Sequence, residues 1–198
     1  MEYIAHRINT AQGLKDLDPR YGVEVDIRSN GDVMYIHHDP FCDGEIFEEW
    51  VQSFKHGTLI LNVKEEGLEQ RLLDVMSQQG IDNFFFLDQS FPFLVKWSKK
   101  GLNRAAVRVS EFENIETALT LKGKVDWVWV DCFTRFPITG EEAIELKTAG
   151  FKLCLVSPEL QGRDAKKEIP ELHALLQEQN ICAEAVCTKR PDIWESLS

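Results

Sequence analysis

Short apolar runs alternate with longer segments of helical spacing along most of the chain. The apolar runs predict eight β-strands, with the sequences YIAH, GVEVDIR, TLILNVK, NFFFLD, RAAVRV, DWVWVD, FKLCLV and AEAVCT. Most strands precede a helical segment, and the clearest of these segments are LEQRLLDVMSQQG, ENIETALTLKG, GEEAIELKTAG and IPELHALLQEQN. Several segments close on Gly or Asn, which are helix stop signals. The pattern is typical of repeated β-α units around a parallel sheet.

Eight such units in 198 residues predict a compact α/β fold, the (β/α)8 TIM barrel. At roughly 25 residues per unit the chain lies at the low end of this fold's size range, so we expect short loops and one helix that is rudimentary or missing. A hydrophobic content of 43% supports one barrel domain over residues 1–198. An open doubly wound sheet is the alternative fold, but no GxGxxG or GxxxxGK loop follows any strand.

Composition narrows the classes of partner. The formal net charge is −11 and Lys and Arg form no block, which disfavours nucleic acid or an anionic membrane surface as the main partner. The five cysteines are scattered and form no CxxC pair, so we expect buried free thiols rather than disulfides or a zinc site. With no signal peptide and no apolar run near the ~18 residues of a membrane span, we expect a cytoplasmic protein without stable membrane insertion.

Polar residues follow the first two predicted strands, and in such barrels the carboxyl ends of strands line the active site. His6 and Arg7 end the first strand. The period of two along GVEVDIR places Glu24 and Asp26 on one face, which we expect to be the barrel interior. Two carboxylates there are costly unless a cation shares them, and a hard divalent metal such as Mg or Ca suits oxygen ligands. Two solvated acids on an exposed strand are the alternative.

Two further segments place polar and ionisable side chains at the same carboxyl end of the predicted barrel, its mouth. TLILNVK ends a strand with Asn62 and Lys64 on one face, and GDVMYIHHDP is a turn and a β-rich run that lead to His37 and His38. Arg and Lys beside a divalent cation can neutralise phosphate oxygens, and two imidazoles can serve as general base and general acid. Alternation along YIHHD sends the two adjacent histidines to opposite faces, so we expect His38 rather than His37 to meet the site.

Taken in order, IAHR, VEVDI, GDVMYIHHDP, LNVK and AVCTKRPD resemble the successive motifs of the glycerophosphodiester phosphodiesterase family, a metal-dependent (β/α)8 group related to sphingomyelinase D. The resemblance is strongest over residues 1–66 and resumes at 184–192. It implies roles for six residues: the acid and base His6 and His38, the metal ligands Glu24 and Asp26, and the phosphate ligands Arg7 and Lys64.

The chain departs from the family pattern at several positions. The usual Gly after His-Arg is Ile8, and a Pro-Glu-Asn-Thr element is missing, although Asn9 could orient a catalytic group. The third metal ligand, normally an acid, is Asn62, whose neutral amide oxygen implies weaker cation affinity unless Asp131 or Glu65 completes the shell. The segment between the second histidine motif and LNVK has no room for the subdomain that encloses glycerol in typical members.

Three charged residues at other strand ends are second-tier candidates for the site: Asp88, Arg108 and Asp131. An interior salt bridge or a helix N-cap would also account for any one of them. Trp127 and Trp129 share a face and are expected in the core.

These observations favour a metal-dependent phosphodiesterase that acts on a small-molecule phosphodiester with a small hydroxylated head group. The alternative is a catalytically weakened barrel that binds phosphorylated ligands or a protein partner. A third hypothesis, an aldolase- or isomerase-type barrel with Lys64 as a Schiff-base lysine, leaves the acid pair and the two histidines without roles.

Overall fold

The eight strands predicted from the sequence all form, and they lie parallel around a closed barrel. The computed structural model describes residues 1–197. Its ten strands are β1 (Glu2–Ala5), β2 (Gly22–Asn30), β3 (Val33–Ile36), β4 (Glu45–Ile46), β5 (Leu59–Val63), β6 (Phe84–Leu87), β7 (Ala106–Val109), β8 (Trp127–Val130), β9 (Lys152–Val156) and β10 (Ala185–Thr188). Barrel pairing runs β1, β2, β5, β6, β7, β8, β9, β10 and back to β1. The (β/α)8 fold is therefore confirmed.

The seam between β6 and β7 is the weakest in the barrel. Among the described residues these two strands share a single bridge, between Phe86 and Ala105, where the Phe86 N–H donates to the Arg104 carbonyl at 2.9 Å. Every other neighbouring pair of barrel strands is joined at two or more positions. Beyond the bridge, toward the carboxyl ends of β6 and β7, a cleft separates the strands.

The β-rich run before His37 lies outside the barrel. It forms β3, which pairs antiparallel with the end of β2, and β4 pairs with β3 in turn. Gly31, in the turn between β2 and β3, has a φ of 60°, which glycine adopts without the steric penalty of other residues. The ribbon of β3 and β4 therefore extends the second strand past the rim of the barrel.

A helix follows each barrel strand or its extension: α1 (Ala11–Asp16), α2 (Phe47–Trp50), α3 (Glu69–Gln79), α4 (Phe91–Ser98), α5 (Ile115–Leu119), α6 (Gly140–Thr148), α7 (Ala165–Glu178) and α8 (Pro191–Ser196). The expected rudimentary helix is α2, with four residues. Helix α7 starts ahead of the predicted segment because the Asp164 side chain caps it, accepting from the Lys166 and Lys167 N–H groups. Within residues 1–197, no helix has the length and apolar character to cross a bilayer.

Two apolar layers fix the strands. An outer layer packs the strands against the helices, and an inner layer plugs the barrel, where the Phe85 and Trp127 rings stack with centroids 4.5 Å apart. Trp129 belongs to the same plug, so the expectation that both tryptophans lie in the core is confirmed. All five cysteines are free thiols, but only three are buried, since Cys42 and Cys182 are exposed. The polar strand ends lie above this plug, at the carboxyl mouth of the barrel.

Candidate active site

Glu24 and Asp26 form a buried acid pair on β2. Both side chains are fully buried, whereas the alternate residues Val23 and Val25 belong to the outer apolar layer. The register of β2 and β5 places Asn62 opposite Asp26, and the Asn62 amide donates to Glu24 Oε1 at 2.7 Å. The period of two thus directs both acids and the amide to one face, as the sequence pattern predicted.

The two acids differ in how their charge is compensated. Lys64 Nζ lies 3.1 Å from Asp26 Oδ1, Arg7 Nε lies 3.6 Å from Asp26 Oδ2, and the Asn9 amide donates to Oδ2 at 2.8 Å. Glu24 instead accepts the Arg7 backbone N–H at 2.8 Å. Two cations therefore compensate the charge of Asp26, and residues distant in sequence supply them.

Glu24 is the carboxylate that lacks this compensation. Its burial raises its pKa, and the negative charge of Asp26 raises it further, against the opposing hydrogen bond from Asn62. The pKa of Glu24 reaches about 7. A cation that approached Glu24 would therefore relieve an electrostatic cost already present in the folded chain.

His6, at the end of β1, stands beside Glu24. Its Nε2 lies 3.8 Å from Glu24 Oε2, beyond hydrogen-bond distance, and its buried Nδ1 has no hydrogen-bond partner. Burial, and then the positive charges of Arg7 and Lys189, lower the pKa of His6 to about 3. At neutral pH the ring is therefore uncharged with a lone pair on one nitrogen, and the low pKa makes it a weak base.

His37 and His38 follow the end of β3, which stops at Ile36. Strand alternation does not extend to them, and both line one open cleft together with Arg7. Alternation therefore gives no reason to place His37 away from the site. The preference for His38 as the proton-transfer group stays a prediction that rests on the family resemblance.

His38 is held by contacts on both its ring and its backbone. Its Nδ1 lies 2.8 Å from Asp39 Oδ1, and its carbonyl accepts from the Arg28 guanidinium at 2.7 Å. His37 Nδ1 lies 3.0 Å from both the carbonyl oxygen and the backbone nitrogen of Asp39. Because the Asp39 carboxylate occupies Nδ1 of His38, Nε2 is the ring nitrogen left for another partner.

A chain of alternating charges crosses the mouth from β5 to β8. Lys64 Nζ lies 3.2 Å from Asp88 Oδ2, and the Arg108 guanidinium bridges Asp88 and Asp131. The three second-tier residues therefore do reach the mouth, where they form an interior salt-bridge network. Lys64, shared between Asp26 and Asp88, connects this network to the acid pair.

Asp131 and Glu65 are engaged elsewhere and do not complete a shell around the acid pair. Asp131 contacts Arg108 and accepts from Gln161 Nε2 at 2.7 Å, while burial raises its pKa against the opposing charge of Arg108. Glu65 accepts from the Ser29 hydroxyl. The expectation that either acid replaces the missing third carboxylate is not met.

Two site residues other than glycine adopt left-handed backbone conformations. Arg7 has a φ of 56° and Asp88 a φ of 59°. Such conformations cost about 1 kcal/mol or more for residues with a Cβ and tend to persist where the surroundings hold them. At Arg7 the backbone N–H meets Glu24, and at Asp88 the carboxylate meets both Lys64 and Arg108. The two residues with strained backbones are thus among those that hold the charged side chains of the mouth in place.

Glu159 is a mouth residue that the sequence patterns did not single out. Its Oε1 accepts from the Thr188 hydroxyl at 2.6 Å and from the Lys189 N–H at 2.8 Å, and it also contacts the Ser157 hydroxyl. Its position just after β9 is the signal that could have identified it, because strand ends line the mouth. Glu159 thus joins the ends of β9 and β10. Strand β10 pairs with β1, which in turn pairs with β2, the strand that carries the acid pair.

The donor set fits a hard divalent cation, with two charged ligands. Glu24, Asp26 and Asn62 offer only oxygen, and both Asn62 Oδ1 and Asp26 Oδ1 are buried without a hydrogen-bond partner. Lys64 already lies beside the Asp26 atom, so a cation there would share it or displace the ammonium. Within residues 1–197, no three His, Cys, Asp and Glu side chains form a metal-binding cluster by themselves, so the fit at the acid pair depends on the Asn62 amide as third ligand.

Comparison with known proteins gives matches among solved structures. No protein-family model matches the sequence, and no curated protein matches it significantly. A protein from Agrobacterium tumefaciens, assigned as a glycerophosphoryl diester phosphodiesterase, superposes with a TM-score of 0.71 at 13% identity, over 99% of this chain and 96% of that one. The chain has the fold of these enzymes.

Two further solved structures with this fold belong to proteins of different function. A glycerophosphoryl diester phosphodiesterase from Parabacteroides distasonis gives a TM-score of 0.66 at 14% identity, over 99% of this chain and 85% of that one. A mutant tryptophan synthase α-subunit from Pyrococcus furiosus also matches, with a TM-score of 0.56 at 14% identity, over 98% of this chain and 90% of that one. Because one barrel fold serves different reactions, the activity has to be argued from the residues of the mouth.

Proposed function

We propose that this protein is a metal-dependent phosphodiesterase of the glycerophosphodiester phosphodiesterase type, acting on a small-molecule diester with a small hydroxylated head group. The observation that carries the proposal is the convergence at one barrel mouth of five of the six motif residues, namely His6, Arg7, Glu24, Asp26 and Lys64. Oxygen ligands, cations and an uncharged imidazole lie there within direct contact of one another or of a shared partner. The same barrel fold in solved phosphodiesterases supports the assignment.

Glu24, Asp26 and Asn62 would hold the divalent cation, Mg or Ca. When bound, the cation would neutralise the acid pair and withdraw electrons from the phosphoryl oxygens. Arg7 and Lys64 would bind the phosphate and keep it against the acids, since their charged groups flank Asp26 at 3.6 and 3.1 Å. Phosphate oxygens would then be matched by positive charge on two sides.

His6 and His38 would carry the proton transfers. The uncharged ring of His6 would accept the proton of the attacking oxygen, from water or from a neighbouring hydroxyl of the substrate. His38, fixed through Nδ1 by Asp39, would donate a proton from Nε2 to the departing oxygen of the alcohol. Attack by water gives a phosphomonoester and an alcohol, and attack by a substrate hydroxyl gives a cyclic phosphate and an alcohol.

A binding protein without turnover is the second candidate function. Two observations favour it: Asp26 is already neutralised by Lys64 and Arg7, and the third ligand position holds a neutral amide. The Schiff-base hypothesis has less support, because Lys64 Nζ lies between the carboxylates of Asp26 and Asp88. Those two contacts engage the Nζ atom that Schiff-base chemistry needs free to attack a carbonyl.

The test is an activity panel of glycerophosphodiesters, lysophospholipids and bis-p-nitrophenyl phosphate with Mg, Mn and Ca. We expect cation-dependent alcohol release that Glu24→Gln and Lys64→Met each abolish, while Glu141→Gln, a change on the surface of α6, leaves it intact. Phosphate binding by the wild type without turnover on any diester would favour the second candidate. The cytoplasmic location expected from the sequence stays a prediction.

A further inference from the structure

Lys189 is a cation of the mouth that the proposed mechanism does not use. It follows Thr188, the last residue of β10, and its backbone N–H donates to Glu159 at 2.8 Å. In the part of the chain that the structure describes, the Lys189 ammonium has no ion pair and no hydrogen bond. Arg7 and Lys64, in contrast, each pair with a carboxylate. The charge of Lys189 is therefore available to a ligand.

The pairing of β1 with β10 places Lys189 beside His6. The His6 N–H donates to the Thr188 carbonyl at 3.0 Å, which continues the parallel ladder by one residue. Ile4 and Cys187, two residues earlier on the two strands, lie opposite each other in the inner plug. Because alternate residues share a face, His6 and Lys189 lie on this inner side, above the plug. The positive charge of Lys189 also helps to lower the pKa of His6, in agreement with a position close to the ring.

The positive charges of the mouth lie on two sides of His6. The proposed phosphate ligands, Arg7 and Lys64, pair with Asp26 on the side of β2. Lys189 lies on the opposite side, since β1 stands between β2 and β10. In the proposed reaction His6 accepts the proton of an attacking hydroxyl, so a head group that carries this hydroxyl lies beside His6. The far end of such a head group then points toward Lys189.

We propose that Lys189 binds a carboxylate on the hydroxylated head group of the substrate, which makes the substrate a phosphodiester of a small hydroxy acid. The proposal rests on the proposed function, because it places the phosphate at Arg7 and Lys64. One ammonium matches the single negative charge of a carboxylate. A second phosphate would bring two charges to this one ammonium, on a chain whose net charge is already −11.

The test compares the binding of glycerol 3-phosphate with that of 3-phosphoglycerate, in which a carboxylate replaces the terminal hydroxymethyl group. Neither compound contains a diester, so calorimetry with Mg²⁺ present measures binding apart from turnover. We expect 3-phosphoglycerate to bind at least about fivefold more tightly to the wild type, the effect of one exposed ion pair. Lys189→Met should reduce this ratio to one or below, and Lys189→Arg, which keeps the charge, should retain it.

Lys122→Met is the matched control. Lys122 is exposed in the turn between α5 and β8, at the amino end of the barrel, so its substitution removes the same charge far from the mouth. The ratio should stay unchanged in Lys122→Met. In Lys64→Met both compounds should bind more weakly by the same factor, because Lys64 is proposed to hold the phosphate that they share.

Equal affinity for the two compounds in the wild type would overturn the proposal and identify Lys189 as a solvated lysine. A ratio that persists in Lys189→Met would also overturn it, since the carboxylate would then bind the cation or another residue. A Lys189-dependent ratio in a protein that hydrolyses no diester would support the carboxylate site and contradict the proposed reaction. Absence of binding by both compounds would contradict the phosphate site as well, so the two failures are distinguishable.

Discussion

Glu24→Gln tests the electrostatic account of the mouth through the stability of the folded chain. Burial and the charge of Asp26 raise the pKa of Glu24 from 4.5 to about 7. The folded chain therefore holds this proton more tightly than the unfolded chain does. Without a divalent cation, the stability due to the protonated carboxyl is present below pH 4.5 and is lost as pH rises through 7.

The size of the effect follows from the two pKa values. The gap between 4.5 and about 7 corresponds to about 3 kcal/mol of unfolding free energy. Gln does not ionise and can still accept from the Arg7 N–H. Its NH₂ group alters the hydrogen bond with Asn62, but this change has the same effect at every pH. In EDTA, we therefore expect Glu24→Gln to gain up to about 3 kcal/mol relative to the wild type between pH 5 and pH 8.

Urea unfolding from pH 5 to pH 8, first in EDTA and then with Mg²⁺ or Ca²⁺, measures this difference. At a cation concentration 100 times Kd, the wild type should gain about 2.7 kcal/mol, and Glu24→Gln should gain much less. Glu69→Gln is a matched control, because Glu69 is equally buried and accepts from Gln89 but does not contact the acid pair. The reasoning is refuted if the difference between Glu24→Gln and the wild type does not vary with pH.

Three further predictions concern individual residues of the mouth. Asn62→Asp should tighten divalent-cation binding by about tenfold in calorimetry, because it adds a third carboxylate; unchanged or weaker binding would place the cation away from this strand. His6→Ala and His38→Ala should each abolish turnover with the fold intact by circular dichroism, whereas His37→Ala should retain it; an inactive His37→Ala with an active His38→Ala would reverse the assignment. Asn adopts the left-handed backbone of Asp88 readily, so Asp88→Asn should cost only about 1 kcal/mol of stability in urea unfolding. It should raise KM more than it lowers kcat, because Lys64 loses one of its two carboxylate partners. A selective loss of kcat would argue that Asp88 acts in the chemistry itself.

The fold was predictable because its strands are buried on both faces. Runs such as TLILNVK and NFFFLD carry apolar residues at every position that meets either the plug or the helices. The alternation argument for His37 and His38 did not apply, since both histidines lie beyond the end of β3.

The candidate site was predictable where side chains share a strand. Glu24 and Asp26, and likewise Asn62 and Lys64, share a face through the period of two. The ion pairs of Asp26 with Lys64 and Arg7 were not predictable, because they join residues brought together only by closure of the barrel. Glu159 was missed for the same reason, as its partners Thr188 and Lys189 belong to a neighbouring strand end.

The central claim is that one divalent cation and one phosphate bind side by side at this mouth. A crystal soaked with Mn²⁺ and inorganic phosphate tests it most directly through the anomalous signal of the metal. We predict one anomalous peak within ligand distance of oxygens from Glu24, Asp26 and Asn62, with phosphate density against Arg7 and Lys64. A mouth without metal at millimolar Mn²⁺, in which Lys64 and Arg7 still pair with Asp26, would contradict the account.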